Sequence, residues 1–421
     1  MRSPLLVIAT GLLGAVATCP VEADEIKGRI KSVTKHSVAL EVEKQGVLVF
    51  RLDEKTRYQN ASGPRELIAD EVLVIQYTPG AQGNVAESVS KFIAPLPEGV
   101  ARITVEELRA LIDRKAGGYV LYDSRPPARY HERHIPTAVS LPVPEVERLG
   151  EKAFPADKNT LLVFYCGGLS CPLSPKSAQL AHSYGYRQLK VFREGEPGWK
   201  KAEYPLESSI TFVKTGHHVL VDLRSPEAAE KGHIPRAVNI PVARLADSEK
   251  LFPAWKGAPI VFYSDQPADI AKALEQALDW GYRNASAFSG GTAAWVAAGN
   301  ALNPGKPASR IEFQRKAAEG EIAIADFQTR GGQANVQVVD VRTHSEFGEK
   351  RIAGAINIPA DEIGRRSGEL PAGKDLLLYC STGTRAEMAY DVLKGKAVKA
   401  QYLRAAVNFA ADGRPVFEEA E

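Results

Sequence analysis

Cysteine is scarce in this sequence of 421 residues, which contains four, and no long hydrophobic run follows the first two dozen residues. Four cysteines are too few for a disulfide scaffold. An excess of charge is missing as well: 53 basic and 51 acidic residues leave a net charge of +2, which excludes a basic footprint for nucleic acid or for an anionic membrane. The eight histidines show no metal-ligand spacing, so we expect neither a metal nor another cofactor.

The composition that remains is that of a globular protein. Apolar residues make up 44% of the chain and charged residues 25%. At roughly 100–200 residues per domain, a chain of this length predicts three or four domains.

Residues 1–23 are predicted to form an export signal. An apolar run over residues 5–17 has the length of a signal-peptide core and is too short to span a bilayer. Residues 21–23 fit a signal-peptidase site, with cleavage before Asp24. Two alternatives stay open: a lipid on Cys19, which would tie the protein to a membrane, and an uncleaved anchor. Cleavage before Asp24 and a lipid on Cys19 both predict a bacterial periplasmic or outer-membrane location.

Cleavage after Ala23 leaves three cysteines, Cys166, Cys171 and Cys380. Because three is an odd number, at least one thiol is free or paired between molecules. An unpaired cysteine in an oxidising compartment points to chemistry more strongly than the same residue in the cytosol.

Residues 24–95 are predicted to form a small β domain. Val38, Leu40 and Val42 alternate with less apolar residues, and a Lys-Gln-Gly turn leads to a second run over residues 47–52, which is typical of a hairpin. A further strand is predicted over residues 72–77. The pattern favours an antiparallel barrel or sandwich similar to an OB fold. The sequence does not indicate the role of this domain. Its candidate roles are packing against the rest of the chain and docking a protein partner.

The rest of the chain is a triplication. Three segments, beginning at residues 119, 218 and 336, align without gaps, and in each an apolar strand ends in Asp-x-Arg. A proline follows each aspartate by 19 residues. We predict a first copy over residues 100–207, a second over 208–303 and a third over 308–421. The three pairs are Asp123 and Arg125, Asp222 and Arg224, and Asp340 and Arg342.

A second apolar strand in each copy ends at Cys166, Ser264 or Cys380, which lie 43, 42 and 40 residues after the aspartate. A helical stretch follows each of these positions. Continuous apolar strands that alternate with helices predict an α/β fold, with a parallel sheet flanked by helices on both faces. Such sheets bind ligands at the carboxyl ends of their strands.

These motifs resemble the rhodanese (sulfurtransferase) superfamily. The resemblance rests on Asp-x-Arg, on the His-Ile-Pro-x-Ala-x-x-x-Pro stretch and on the strand-end cysteine of Cys-Ser-Thr-Gly-Thr-Arg, and it covers roughly residues 101–420. It implies three tandem rhodanese-like domains behind the small β domain. It also implies an enzyme that carries sulfane sulfur as a cysteine persulfide, from a small sulfur anion such as thiosulfate to a thiol or cyanide acceptor.

The third copy fits this family best. By resemblance, Cys380 is the nucleophile and Arg385 binds the anionic end of the donor. The loop residues between them are expected to curl around the donor with their backbone N–H groups inward, next to a helix N-terminus that favours a thiolate. These residues are Ser381, Thr382, Gly383 and Thr384. The closing Gly-Gly-x-x-x-Trp of the second copy is absent here, so a different pocket wall is expected.

The first copy has a loop about six residues longer, with a second cysteine. Cys166 is a candidate second sulfur carrier, Cys171 its resolving thiol, and Lys176 a substitute for the charge of Arg385. A purely structural disulfide between the two cysteines is the alternative.

The second copy is predicted to be inactive. Ser264 replaces the nucleophile, and Asp265 and Asp269 would repel an anionic donor. Because the Asp-x-Arg pairs persist in this copy, we assign them a structural role. His134 and His233, which this copy shares with the first, are poor candidates for a general base for the same reason.

Two other functions compete with sulfur transfer. Phosphatases of this fold need five residues between cysteine and arginine, whereas four separate Cys380 from Arg385. The second is a non-catalytic scaffold or accessory subunit of an exported assembly that handles sulfur, selenium or electrons, a role suggested by the inactive second copy.

Overall fold

The structure is a computed structural model that describes residues 23–69, 71–79, 83–114 and 117–419. The apolar run of the predicted export signal, together with Cys19, lies outside the described residues. Within those residues, no helix has the length and apolar character needed to cross a bilayer.

The N-terminal domain is a six-stranded sheet with the strand order β3-β2-β1-β5-β6-β4. The predicted hairpin is present, with Val38 opposite Phe50 and Leu40 opposite Leu48. Strand β3, at one end of the order, also pairs with β6, the last strand but one at the other end. The strand-rich domain is thus confirmed, while the OB-like barrel stays a prediction. Its strands are β1 (Asp24–Val33), β2 (Ser37–Val42), β3 (Gly46–Arg51), β4 (Arg57–Gln59), β5 (Val72–Thr78) and β6 (Asn84–Lys91).

The first copy contains a parallel five-stranded sheet with the order β7-β11-β10-β8-β9. Its central strands are buried on both faces because helices cover both sides, which explains their continuous apolar sequences. The elements are β7 (Ala101–Arg102), α1 (Val105–Asp113), β8 (Tyr119–Asp123), α2 (Pro127–Glu132), β9 (Val139–Ser140), α3 (Val143–Leu149), β10 (Leu161–Tyr165), α4 (Leu173–Ser183), β11 (Leu189–Phe192) and α5 (Gly195–Lys201).

The second copy repeats this arrangement with four parallel strands in the order β13-β12-β14-β15. In place of the outer strand β7 it has a single parallel bridge between Glu207 and Ala287 of the last strand. The elements are α6 (Ile210–Thr215), β12 (Val219–Asp222), α7 (Pro226–Lys231), β13 (Val238–Asn239), β14 (Ile260–Tyr263), α8 (Pro267–Asp279), β15 (Ala285–Ala287) and α9 (Gly291–Ala297).

The third copy has five parallel strands in the order β16-β20-β19-β17-β18. An antiparallel hairpin, β21–β22, stands where the other copies have α5 and α9, so the closing wall differs as expected. The elements are β16 (Glu321–Ile322), α10 (Ile324–Arg330), β17 (Val336–Asp340), α11 (His344–Glu349), β18 (Ile356–Asn357), α12 (Ile363–Arg366), β19 (Asp375–Tyr379), α13 (Thr384–Gly395), β20 (Ala400–Leu403), β21 (Ala405–Phe409) and β22 (Pro415–Glu419).

The N-terminal sheet contacts both copies that carry cysteines. The Val72 N–H donates to Ser170 Oγ at 3.2 Å, in the enlarged loop of the first copy. In the third copy, His36 Nε2 lies 3.8 Å from Glu349 Oε1, and β1 lies against α13. The domain whose role the sequence left open therefore packs beside both candidate sites of its own chain.

Candidate active site

A buried hydrogen-bonded frame stands behind the strand-end position in all three copies. The aspartate of Asp-x-Arg is fully buried and accepts from the arginine two residues later and from the hydroxyl of a tyrosine. That tyrosine directly precedes the cysteine or serine, so the frame joins the ends of two neighbouring strands. The frame is also complete in the copy without a thiol, which agrees with the structural role predicted for it. Its members are Asp123, Arg125 and Tyr165; Asp222, Arg224 and Tyr263; and Asp340, Arg342 and Tyr379.

In the third copy, the loop after β19 directs a backbone donor at the cysteine sulfur. The Gly383 N–H donates to Cys380 Sγ at 3.1 Å, and α13 begins at the next residue. The partial positive charge of the helix N-terminus favours negative charge on that sulfur. Gly383 has φ +86°, and a Cβ at this position would lie 2.8 Å from the Arg404 Cα, so only glycine fits. Cys380 itself is fully buried.

Arg385 is expected from the sequence to hold the anionic end of the donor, but the structure gives its charge another partner. Its guanidinium is 1% exposed and donates to both carboxylate oxygens of Glu346, at 2.7 and 2.9 Å. Ser381 Oγ also donates to this carboxylate, at 3.2 Å. Burial alone would raise the pKa of Glu346, but its hydrogen bonds and the charge of Arg385 lower it to about 2. Arg385 therefore holds the loop against α11, and its charge is already neutralised.

Two polar atoms of the third loop remain unpartnered. Thr382 Oγ1 and Arg385 Nε are buried and have no hydrogen-bond partner in the part of the chain that the structure describes. Burying a donor without an acceptor is unfavourable. An anionic donor in this loop would supply the missing acceptor to both atoms.

The two cysteines of the first loop lie together and are not joined by a disulfide. Cys166 is 1% exposed, and its sulfur lies 3.1 Å from Ser174 Oγ and 3.4 Å from the carbonyl oxygen of Cys171. Burial and the hydrogen bond to Cys171 raise the pKa of Cys166. Interaction with the Cys166 thiol, together with backbone N–H groups of the loop, lowers the pKa of Cys171 to about 6. Lys176 forms an exposed ion pair with Glu147 and does not take the place of Arg385.

The second loop is closed by its own acidic residues. Ser264 Oγ donates to Asp269 Oδ2 at 3.0 Å and accepts from the Gln266 N–H at 3.2 Å. Asp265 faces Arg224 at 3.6 Å. A cavity of about 560 Å³ opens beside this loop, partly lined by the apolar side chains of α8 and α9. The copy thus keeps a cleft at its strand ends without a sulfur nucleophile.

Histidine and metal chemistry have no site in the described residues. No group of three or more His, Cys, Asp or Glu side chains is arranged there to hold a metal ion. The Nδ1 atoms of His134 and His233 lie 2.9 and 3.1 Å from backbone carbonyls of the preceding helix, away from the strand-end loops. Burial lowers the pKa of His134.

The chain is similar in sequence to one family of known proteins. The sequence model of the Rhodanese-like domain family matches residues 104–202, 211–298 and 324–408. The chain belongs to this family. Each match falls within one of the three copies, so tandem rhodanese-like domains are confirmed. Together with a sulfurtransferase relative, these domains support a sulfurtransferase-type function.

The individual relatives are distant. An HTH-type transcriptional regulator of Mycobacterium tuberculosis is 30% identical over 186 residues, which are 42% of this chain and 74% of the regulator. A sulfurtransferase of Allochromatium vinosum is 34% identical over 55 residues, which are 13% of this chain and 51% of the relative. A thiosulfate sulfurtransferase structure from Pseudomonas aeruginosa is 20% identical with a TM-score of 0.25, and the match covers 72% of this chain and 63% of that one. The chain thus spans only about half of the Allochromatium vinosum sulfurtransferase and less than two thirds of the Pseudomonas aeruginosa one.

Two features of the rhodanese-like copies were missed from the sequence. Glu346 lies six residues after Asp340, where the other copies have Arg129 and Ala228, so the partner of Arg385 exists only where that arginine does. The first copy also has its own closing tryptophan. Trp199 follows Gly195 by four residues, as Trp295 follows Gly291, and both indole N–H groups donate to a backbone carbonyl at 2.8 Å.

Proposed function

We propose that the chain is a sulfurtransferase whose third rhodanese-like copy carries sulfane sulfur on Cys380. The observation that carries this proposal is the contact from the Gly383 N–H to Cys380 Sγ at the head of α13. It is the only strand-end cysteine in the described residues with a loop of the short form, and it has a helix N-terminus directly behind it. Thiosulfate or a related sulfur anion is the proposed donor, and a thiol or cyanide the acceptor.

The chemistry needs no cofactor. The Cys380 thiolate attacks the outer sulfur of thiosulfate, the sulfur–sulfur bond of the donor breaks, and sulfite leaves with the bonding electron pair. A persulfide remains on Cys380. A thiolate or cyanide then attacks the outer persulfur and releases the cysteine thiolate. The unpartnered Thr382 Oγ1 and Arg385 Nε are suited to hydrogen-bond the donor's oxygens while the first step proceeds.

Mass spectrometry of the purified protein after thiosulfate treatment tests this function. We expect a gain of about 32 Da, one sulfur atom, on the peptide that contains Cys380, and its loss on addition of cyanide. In a protein that also carries Cys166→Ser and Cys171→Ser, Cys380→Ser should abolish turnover, whereas Ser264→Ala, at the equivalent strand end of the second copy, should leave it unchanged. A Cys380→Ser protein with full activity, together with an unmodified Cys380 peptide in the parent, would refute the proposal.

A scaffold function is the second candidate, and the second copy favours it. That copy keeps its frame and a strand-end cleft although Ser264 has replaced the thiol. No sulfur loading on any cysteine of the purified protein, with the sulfur metabolism of the host unchanged by Cys380→Ser, would support this candidate. The phosphatase alternative is weaker, because four residues separate Cys380 from Arg385, whereas phosphatases of this fold need five.

Export belongs to the same proposal. We place the reaction in the bacterial periplasm or at the outer membrane, on the predicted signal over residues 1–23. N-terminal sequencing of the protein recovered from the periplasmic fraction should find Asp24 first. Recovery with the membranes, and lipid on Cys19, would support the lipoprotein alternative.

A further inference from the structure

We propose that Cys171 is the sulfur-accepting thiolate of the first copy and that Cys166, which occupies the strand-end position of the family nucleophile, is its resolving partner. This inference rests on the sulfurtransferase function proposed above. It assigns the enlarged loop a reaction of its own, with the roles of the two cysteines opposite to those that the family alignment suggests.

The positions of the two sulfur atoms favour this order. Cys171 is partly exposed, whereas Cys166 is 1% exposed and lies beneath the loop. The backbone of Cys166 is also clamped, because its carbonyl oxygen accepts from the Glu196 N–H at 3.1 Å. Gly195 packs so closely that a Cβ there would lie 2.1 Å from the same oxygen. A donor from solvent therefore meets Cys171 first.

Hydrogen bonds distinguish the two thiols further. The Cys166 thiol donates to the backbone carbonyl oxygen of Cys171 at 3.4 Å, and interaction with the Cys166 thiol and with the backbone N–H groups of Leu173 and Gly167 lowers the pKa of Cys171. Leu173 is the first residue of α4, so the partial positive charge of that helix acts on the Cys171 sulfur. The backbone N–H groups of the loop thus favour the thiolate of Cys171. Its pKa of about 6 makes it mostly thiolate at neutral pH.

The N-terminal sheet forms a wall of this site. The Ala94 N–H donates to the Leu169 carbonyl at 2.9 Å, and Val72 N–H donates to Ser170 Oγ. These bonds hold the two loop residues that immediately precede Cys171. Arg29, on β1 of the same sheet, adds a positive charge that stabilises the Cys171 thiolate. The small β domain is therefore part of the first site, and the loop takes its shape from both domains.

The reaction balances with one named reductant. Cys171 thiolate attacks the outer sulfur of thiosulfate, sulfite leaves with the electron pair of the broken bond, and a Cys171 persulfide remains. The Cys166 thiol then attacks the Cys171 sulfur, and the outer sulfur leaves as hydrosulfide with the thiol proton. The disulfide between Cys166 and Cys171 that results is reduced by two electrons from an external dithiol, which closes the cycle.

Alkylation of the unmutated protein tests the order of reactivity without a variant that could misfold. The full chain is treated with iodoacetamide between pH 5 and 9, and the rate at each cysteine is mapped by peptide mass. We expect the Cys171 rate to rise to half its plateau near pH 6, and Cys166 to react only at much higher pH. Faster alkylation of Cys166 at neutral pH would overturn the assignment.

Sulfur loading tests the chemistry in a Cys380→Ser background. With thiosulfate, added Cys166→Ser should preserve a gain of about 32 Da on Cys171, because the resolving thiol is gone. Added Cys171→Ser should leave Cys166 unmodified. The inference is overturned if Cys166 carries sulfur in the protein with Cys171→Ser. It is also overturned if Cys171 carries none in the protein with Cys166→Ser. The proposed function is tested separately, by loading of Cys380 in a protein that carries Cys166→Ser and Cys171→Ser.

Discussion

The guanidinium of Arg385 and the carboxylate of Glu346 form two hydrogen bonds, of 2.7 and 2.9 Å, in the interior of the third copy. The residues are 39 positions apart, with Arg385 on α13 and Glu346 on α11. The pair therefore fixes the loop that carries Cys380 to α11, the helix that follows β17. This buried ion pair explains how the arginine at the end of the Cys380 loop holds that loop in place, while its Nε remains without a partner in the described residues.

Removing one member of this pair should destabilise the third copy strongly. Glu346→Gln leaves the Arg385 charge buried without a counter-charge, at a cost of about 3–5 kcal/mol. Hydrogen exchange of the α13 amides measures that loss separately from the other domains. As a control, Asp412→Asn breaks an exposed pair with Arg414 and should leave the exchange of the α13 amides nearly unchanged. Equal effects of the two variants would contradict a structural role for Glu346.

The same pair should make the third copy sensitive to acid. The pKa of Glu346 is about 2 in the folded chain, below the value of roughly 4.3 expected in the unfolded chain. A lowered folded-state pKa adds stability above the unfolded value, and this contribution is lost as the pH falls from about 4 toward 2. The free energy of opening at α13 should therefore fall over this range. It should fall less steeply in Glu346→Gln, and parallel curves for the two proteins would argue against this origin.

Gly383 should be intolerant of a side chain for a steric reason that can be isolated. Gly383→Ala places a Cβ 2.8 Å from the Arg404 backbone at φ +86°, so the loop must shift and its N–H must leave Cys380. We expect a loss of about 1–3 kcal/mol and a large loss of sulfur loading on Cys380. Gly413→Ala is the matched control, because Gly413 has φ +85° but open space around it. Similar loading in both variants would show that the close approach does not matter.

The triplicated fold was predictable from the sequence because its determinants are local and repeated. Each Asp-x-Arg lies at the end of an apolar strand, and each strand-end position follows at a nearly constant distance. Three copies of one pattern identify a parallel α/β unit even where the nucleophile is replaced. The missing Gly-Gly-x-x-x-Trp likewise indicated a different wall in the third copy, although the hairpin β21–β22 itself was not foreseen.

The functions of individual charges were not predictable, because they depend on partners that are distant in sequence. An arginine that binds an anion and one that pairs with Glu346 look identical in a linear motif. The two cysteines of the first loop could not be ranked for a similar reason, since exposure and hydrogen-bond direction decide their order. Contact between the N-terminal sheet and Ser170 joins residues 98 positions apart, and no repeat or periodicity indicates it.

Arg29 provides a test of that domain contact. Arg29→Gln removes a positive charge that lowers the pKa of Cys171, so the midpoint of the alkylation curve of Cys171 should move to higher pH. The shift should be small and should vanish near about 1 M salt, because Arg29 is exposed and its charge is screened. Lys31→Gln makes the same charge change on the same strand at a residue paired with Glu41, and should leave the midpoint unchanged. An equal shift in both variants would mean that net charge alone is responsible.

A thiol placed in the second copy should stay unreactive. Ser264→Cys puts the sulfur at a strand end that is 3% exposed, with the Asp269 carboxylate at the position that now accepts the Ser264 hydroxyl hydrogen bond. Burial and the neighbouring carboxylate both disfavour a thiolate, so its pKa should exceed that of an ordinary cysteine. At pH 7 we expect no sulfur uptake from thiosulfate at residue 264 while Cys380 of the same molecule is loaded.

Adding Asp269→Asn to Ser264→Cys should lower the alkylation pKa of the new thiol without restoring sulfur uptake. The loop after Ser264 would still lack a backbone N–H that donates to the sulfur as that of Gly383 does. It would also lack a buried hydroxyl without a hydrogen-bond partner, such as Thr382 Oγ1. Sulfur loading at residue 264 in the single variant, at a rate similar to that of Cys380, would contradict this expectation. It would mean that the shared frame of Asp222, Arg224 and Tyr263 activates a strand-end thiol by itself. The expected failure would locate the activation in the loop, where the three copies differ.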